Sequence, residues 1–518
     1  MKKTICLILA LLFLSACTAA PSVIPEEPVP AEPAEVTPEP VETPPEASPA
    51  LSVSLCYEST DSFHPLTAKT SVNQQLLGLI YEGLFSIDPD GKAEGRLCTD
   101  YEVSSDGRTY TLYLRRGVTM HDGKPMTPQD VIASLKAAKK SSRYSYRLRH
   151  IQSILSVQNH AVTIELDTAY ENLPLLLDVP IMRDGSIEGT SPAGTGPYTH
   201  SGKRLNRFSD YWQGSEVMNL GRFVRLYRAS STSEVCAAFT DSRVTLAVVD
   251  PNGSSGPTYH SVSDLYAQPT YQLQYLGFNL DSDMFKSDVL RSTISFIIDR
   301  ESLVAELCSS FASPAVLPCD PASRNYDRVL AQRFSYDPDK YIARLEAAKL
   351  FDFNGDGVLD TFPDDPKTEA RGTLVVQAGY PERLRMAQRI ADELQSHGIE
   401  LNVRALNSSE YRRALRNGNY DLYLGETALP PDGDLSAFFD PVSSLCLAGM
   451  ENEEMLSLCN LALENAGNFY TLYEAVLNEG LLCPIAVKQD AVYVQIGSNL
   501  NLMPSLGNVY YEPVKEEP

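Results

Sequence analysis

Between Thr373 and Leu424 the apolar pattern switches repeatedly between the period of a strand and that of a helix. Leu374-Val375-Val376 reads as a short buried strand. Pro381 to His397 reads as a helix, with Leu384, Ala387, Ala391 and Leu394 on one face and Gly398 as its C-terminal stop. Ile399, Leu401 and Val403 alternate with Glu400, Asn402 and Arg404, as in a strand with one buried face. Tyr411 to Asn417 reads as a short helix followed by Gly418, and Asp421 to Leu424 as a further strand. This order predicts an α/β domain with parallel strands and right-handed crossovers. Ligands at such sheets sit beyond the carboxyl ends of the strands, so the segment after Leu424 is where a site is expected.

That domain fills only part of the chain. A length of 518 residues allows about three domain-sized units. Thr109 to Leu114 alternates as a strand after the Ser105-Asp106-Gly107 turn. Thr127-Pro128-Gln129-Asp130 carries a hydroxyl cap, a first-turn proline and an acid three residues on, which predicts a helix start. Val289 to Leu307 predicts one longer helix, with Leu290, Ile294, Ile297 and Ile298 at helical spacing. A net charge of −24 makes the protein a poor general partner for nucleic acid.

The start of the chain reads as an address. Met1-Lys2-Lys3 is basic, Ile5 to Leu14 is almost wholly apolar, and Leu14-Ser15-Ala16-Cys17 follows. These parts describe an export signal whose apolar core is too short for a comfortable membrane span. The tetrapeptide is similar to the lipobox of bacterial lipoproteins, which implies a diacylglyceryl group on Cys17 and retention at the membrane through lipid alone. Thr18 to Ala50 contains ten prolines and seven glutamates but no glycine, lysine or arginine. Such a segment buries no core and stays extended, a tether reaching up to about 100 Å.

Several chemistries lack their signatures. There is no H-E-x-x-H pair, no phosphate-binding glycine loop of either common type, and no G-x-S-x-G elbow. No C-x-x-C pair exists among the cysteines. An exported chain can form disulfides, and Cys308 with Cys319 and Cys446 with Cys459 are near enough in sequence to pair; buried free thiols are the alternative. Gly194-Thr195-Gly196-Pro197-Tyr198 reads as a structural turn, since Pro197 removes a donor that a phosphate loop would use. His121-Asp122-Gly123 reads as a loop turn, and Trp212 as a packing residue.

An ordered set of short blocks narrows the fold. Phe63-His64-Pro65-Leu66-Thr67 precedes Leu79-Ile80-Tyr81-Glu82-Gly83-Leu84, then Arg116-Gly117-Val118 and His121-Asp122-Gly123. Gly194 to Tyr198, Asp210-Tyr211-Trp212, Leu276-Gly277-Phe278-Asn279 and Ile298-Asp299-Arg300-Glu301 follow. In this order the blocks resemble the family 5 extracellular solute-binding proteins of bacterial ABC importers, over about Leu51 to Tyr511. The resemblance implies a periplasmic-binding-protein-like, two-lobed α/β fold of the class II type. Lobe I is expected to combine Leu51–Gln274 with Pro484–Pro518 and to hold an inserted subdomain near Leu79–Ser191. Lobe II is expected to run over Tyr275–Cys483. It further implies a monomeric, non-enzymatic receptor that closes on a small solute, foremost a peptide, and presents it to a permease.

In peptide-binding relatives the region after the last strand resembles Gly-Trp-x-Ala-Asp, whose aspartate holds the peptide amine. Matching Gly425 and Ala428 places Glu426 at the tryptophan and Leu429 at the aspartate. The expected ligand contacts are therefore Glu426 and Thr427, the following acids Asp432 and Asp434, and Phe63 from the first lobe. Separately, Asp352, Asn354, Asp356, Val358 and Asp360 have the spacing of a calcium loop, with Pro363 where the bidentate glutamate would stand. A structural calcium site and a bare Asx turn both fit that pattern, and no other cofactor is expected. Two alternatives to a transport receptor remain: an exported hydrolase using paired carboxylates, and a signalling or scaffold protein whose ligand site has decayed.

Overall fold

The computed structural model describes residues 53–515, apart from 159, 215, 219, 254–262, 286–287, 361–367 and 448. The signal and tether read from the sequence, Cys17 included, lie outside the described residues. Among the described residues no helix is long and apolar enough to cross a membrane.

The strand and helix alternation around Thr373 forms one end of a seven-stranded sheet. Its strands are β1 (Leu246–Val249), β2 (Ser263–Phe278), β3 (Ala312–Pro314), β4 (Arg371–Gln377), β5 (Glu400–Leu406), β6 (Leu422–Ala428) and β7 (Leu482–Gln495). In space they run β1-β7-β2-β6-β4-β5, with β3 also on β7. Strand β4 is parallel to both β5 and β6. The crossovers pass through helices α1 (Pro381–Gln395) and α2 (Ser408–Arg416). Strand β6 is antiparallel to β2, so the sheet is mixed, not all-parallel. The same pairing carries β6 past Leu424, because Glu426 and Thr427 sit opposite Gln274 and Leu273.

Two local readings shift. Helix α1 buries Met386, Ala387, Ile390, Ala391 and Leu394. Leu384 lies about a quarter turn off that stripe and is 41% exposed. The single helix expected over Val289–Leu307 is two, Asp288–Ile294 and Arg300–Leu307, separated by a 3₁₀ turn at Ser295–Ile297. Asp299 caps the second by accepting from the Ser302 backbone N–H. The turn brings the buried Arg300 guanidinium within reach of the Pro484 and Ser295 carbonyls, at 2.7 and 3.0 Å.

Strands β2 and β7 have 16 and 14 residues, well over the usual five or six. Their pairing slips between Pro269 and Gln272, where Tyr271 takes a left-handed φ of 53°. On one side of this irregularity the pair carries β1; on the other it carries β6 and β3. The β1 side contributes Val492 and Val494 to a core shared with the helix Ser71–Ile80 and the strands Ser54–Tyr57, Tyr198–Ser201, Arg204–Arg207 and Phe223–Arg228. The other side belongs to a larger core that includes Leu374, Val375, Ile390 and Leu424.

A third core is the inserted unit. Strands Cys98–Val103, Thr109–Leu114, Ala161–Leu166 and Ile151–Gln158 form an antiparallel sheet in that spatial order. The helix Pro128–Ala138 packs on it through Val131, Ile132 and Leu135. Its start is fixed by Asp130, whose carboxylate accepts from both the backbone N–H and the hydroxyl of Thr127 at 2.8 Å. Gly194 and Gly196 lie against the Ile80 carbonyl, where a Cβ would approach within 2.4 and 2.8 Å of its oxygen. His121 braces the same turn through a 2.9 Å contact to the Gly196 carbonyl. Cys56, Cys98, Cys236, Cys308, Cys319, Cys446, Cys459 and Cys483 are all free thiols.

Candidate functional site

A cavity of about 490 Å³ lies where the three cores meet. One wall comes from the helix Ser71–Ile80 and from Tyr81 to Ile87. The inserted unit adds Arg143, Tyr144, Arg147 and Asp178. The floor is the irregular stretch of β2, with Gln268, Pro269, Thr270 and Gln272, together with Asp490 from β7. Ala428, Leu429 and Pro431, at the carboxyl end of β6, close the far side. The volume falls in the range typical of small-molecule sites.

Beneath the floor is a cluster of buried charges. The Lys488 ammonium, 3% exposed, lies 2.5 Å from Asp250 and 3.1 Å from Glu426. Glu426 also accepts from Gln274 at 3.0 Å and pairs with Arg383 at 2.5 Å. Arg383 in turn lies over the Tyr380 ring, 4.0 Å from its centroid. Burial alone would lower the Lys488 pKa, but Glu426 and Asp250 hold it above the ordinary value. Asp490 follows Lys488 by two residues on the same strand face. Burial, reinforced by the negative charge of Asp250 and opposed by Lys488, pushes its carboxyl up to about 6.

A second set of charges flanks the cavity and ties the inserted unit to the loop after β6. Arg149 pairs with Asp434 at 2.7 Å, and the Tyr170 hydroxyl donates to Asp432. Tyr146 donates to Asp440 at 3.1 Å. The Ala466 backbone N–H donates to Glu171 at 2.9 Å, and Leu463 joins the core of the inserted unit. Burial, then the adjacent Asp434, holds the Asp432 carboxyl above the usual carboxylate range, while the Tyr170 hydrogen bond opposes the shift.

The residues singled out from sequence thus divide. Glu426 belongs to the cluster under the floor, and Asp432 and Asp434 to the flanking set. Thr427 is half-buried on β6 opposite Leu273. Leu429 is buried, and its backbone N–H donates to the Tyr271 carbonyl at 3.0 Å. Phe63 is buried, stacked on His200 at 3.9 Å and near Tyr57 at 6.2 Å. Trp212 packs between two cores, donates to Glu82 at 2.9 Å, and lies under Arg115 at 4.2 Å.

The Asp352 loop is remote from these groups in sequence and sits at the surface. Asp352 accepts from the backbone N–H groups of Gly355, Asp356 and Gly357 at 2.6, 3.2 and 2.8 Å. Asn354 accepts from Asp356, Asp356 from Val358, and Asp360 from Phe353. Arg371 pairs with Asp356, Glu369 and Glu400. Among the described residues no three His, Cys, Asp or Glu side chains gather as a metal centre.

Local sequence reading missed Asp490, Lys488, Arg143 and Arg147. A signal existed for the first two: they are the charged positions in the otherwise largely apolar run from Leu482 to Val494.

The arrangement matches a known group of binding proteins. Residues 92–445 match the family described as bacterial extracellular solute-binding proteins, family 5. The chain belongs to this family. Among its relatives, the glutathione-binding protein GsiB of Salmonella choleraesuis is 25% identical over 378 residues, covering 67% of each chain. The oligopeptide-binding protein AppA of Bacillus subtilis, solved with a nonapeptide, superposes with a TM-score of 0.65 at 18% identity, over 90% of this chain and all of that one. NikZ of Campylobacter jejuni, solved with Ni(L-His), gives 0.68 at 18% identity, over 89% and 98%. This family 5 protein therefore has the two-lobed α/β fold, and its relatives are named for binding, not for catalysis.

Proposed function

We propose that this protein is a lipid-anchored extracytoplasmic receptor that captures a small solute, foremost a short peptide, and delivers it to an ABC permease. Cys17 carries the anchor and residues 18–50 form the spacer. Lobe I comprises 51–274 and 484–518, with its insert at 79–191; lobe II comprises 275–483. The supporting observation is the cavity, lined at once by the insert, by the paired strands β2 and β7, and by the end of β6. A solute held there touches both lobes and so favours the closed arrangement through its extra contacts. The register shift at Pro269–Gln272, opposite Gln489 and Lys488, interrupts the ladder between the two long strands that, among the described residues, carry the sheet from one lobe to the other. A micromolar dissociation constant needs about 8 kcal/mol, within reach of backbone hydrogen bonds to an extended peptide plus side-chain burial.

Native mass spectrometry of the protein purified from its own host tests this reading. The expected result is a bound mass of a few hundred daltons, lost on mild unfolding, with a smaller radius of gyration when it is present. A protein carrying no solute, whose scattering profile is unchanged by every member of a broad solute panel, overturns it.

A further inference from the structure

We propose that the outer face of the four-stranded sheet around Arg204 and Arg225 docks on the anionic phospholipid headgroups of the bilayer that holds the Cys17 anchor. The proposal rests on the anchored-receptor reading, and it concerns a sheet none of whose strands lines the solute cavity.

The strands run in space as Ser54–Tyr57, Phe223–Arg228, Arg204–Arg207 and Tyr198–Ser201. In a chain whose net charge is −24, none of these strands contains Asp or Glu; their charged residues are Arg204, Arg207, Arg225 and Arg228. Alternation sorts them. Leu205, Val224 and Leu226 are buried in the core beneath, so the exposed Arg204 and Arg225 point to the other side. The two stand directly opposite one another across the ladder. Like charges so placed repel, and an anion set between them removes that cost. Among the described residues neither has a carboxylate partner; the neighbour of Arg225 is the Phe223 ring, 5.9 Å from centroid to guanidinium carbon. Arg207 is engaged elsewhere, donating to the Val217 and Met218 carbonyls at 2.7 and 2.8 Å. Lys203 and Arg222, both exposed, immediately precede the two arginine-bearing strands. The helix Thr232–Thr240 packs on the Cys56 and Tyr227 side of the sheet. Its acids are already engaged: Glu234 accepts from the Ser230 backbone N–H at 2.7 Å, and Asp241 at its end pairs with Arg243 at 2.9 Å.

Two observations favour a bilayer over a soluble polyanion. Phe223 is 39% exposed among the cations, and a headgroup layer can bury an apolar ring that a bare polyanion leaves in water. The chain leading back toward Cys17 also joins the body at this sheet: the Val53 carbonyl accepts from the Arg225 backbone N–H at 3.0 Å. A tethered face meets the membrane at high effective concentration, so weak adsorption suffices. Each Lys or Arg brought to an anionic bilayer strengthens adsorption about fivefold. Acids farther off than the screening length of roughly 8 Å at physiological salt oppose this only weakly.

Neutron reflectometry of the full lipidated chain tests the assignment, on supported bilayers of phosphatidylcholine alone and of an equal mixture with phosphatidylglycerol. On the mixed bilayer the protein layer is expected to adjoin the headgroups and to lift away as salt is raised. On the neutral bilayer it should stand off at every salt concentration. The double variant Arg204→Glu/Arg225→Glu should stand off from both, with its melting temperature unchanged because one like-charge pair replaces another. Arg412→Glu/Arg413→Glu, on exposed positions of α2 and equal in net charge, should dock as the wild type does. A wild-type layer at the same height on both bilayers overturns the assignment, as does equal loss of docking in the two double variants. So does binding of polyphosphate at Arg204 and Arg225 with no effect of the anionic lipid, which gives the face to a soluble polyanion. A chain whose mass lacks acyl groups overturns the anchor alone. The same chain added from solution should then still adsorb to the mixed bilayer only, at least about tenfold less in Arg204→Glu/Arg225→Glu; adsorption that ignores lipid charge or the variant overturns the face as well.

Discussion

The charges under the cavity floor and those flanking it join distant parts of the chain by different means. Lys488, Glu426 and Gln274 stand on strands of one sheet, so a backbone ladder holds them in register. Arg149 and Tyr170 reach from the inserted unit to Asp434 and Asp432 on the loop after β6. The first set persists as long as the sheet does. The second can part with little loss of backbone hydrogen bonding, and its buried carboxylates then regain water. Buried charge on a ladder therefore contributes to fold stability, whereas buried charge across a seam sets how readily the seam opens.

The largest effect is expected from Lys488→Met. It leaves Asp250 and Glu426 facing each other under the floor without their shared cation. Urea denaturation should show a loss of about 3 kcal/mol; a loss under about 1 kcal/mol would erase the contrast between the two sets. Arg149→Met should lower global stability far less, since Asp434 can rehydrate by opening. Its main effect should be on closure, with ligand affinity reduced about tenfold, roughly 1.4 kcal/mol, in calorimetric titration.

The pH response sharpens the same contrast. Asp432 faces Asp434, Arg147 and Tyr170, and burial where these groups meet raises its pKa. A carboxyl raised in this way opposes closure while ionised, and that opposition is relieved as pH falls toward and below its raised pKa. The ligand-free closed population should therefore increase between pH 7 and pH 5, by about 1 kcal/mol in scattering or distance measurements. Asp432→Asn should flatten the curve. The smallest effect is expected at the exposed Asp352 loop, whose oxygens already accept from backbone N–H groups and from Arg371. Replacing calcium with a chelator should move the melting temperature by less than about 1 °C, as for other exposed charge clusters.

Much of the fold is legible locally. Strands β4 to β6 and their crossover helices follow from hydrophobic period, and the helix at Pro128 from its cap. The break at Ile298 is not, because Leu290, Ile294 and Ile297 keep helical spacing through it; only the pull of Arg300 toward Pro484 shows why the chain turns. The site is less legible still. Glu426 and Asp432 stand out in a polar segment, but their partners Lys488 and Tyr170 lie 62 and 262 residues away. Asp490 meets the cavity only through the register of β7 on β2, a long-range pairing that no window of sequence contains.

The seat of Trp212 has a practical consequence. As the chain's single indole, wedged between the core that holds the helix Ser71–Ile80 and the core around the helix Pro128–Ala138, it is a built-in optical gauge of one joint. Its emission should shift if the insert swings away from its parent, and stay constant if the two travel together as the crevice shuts.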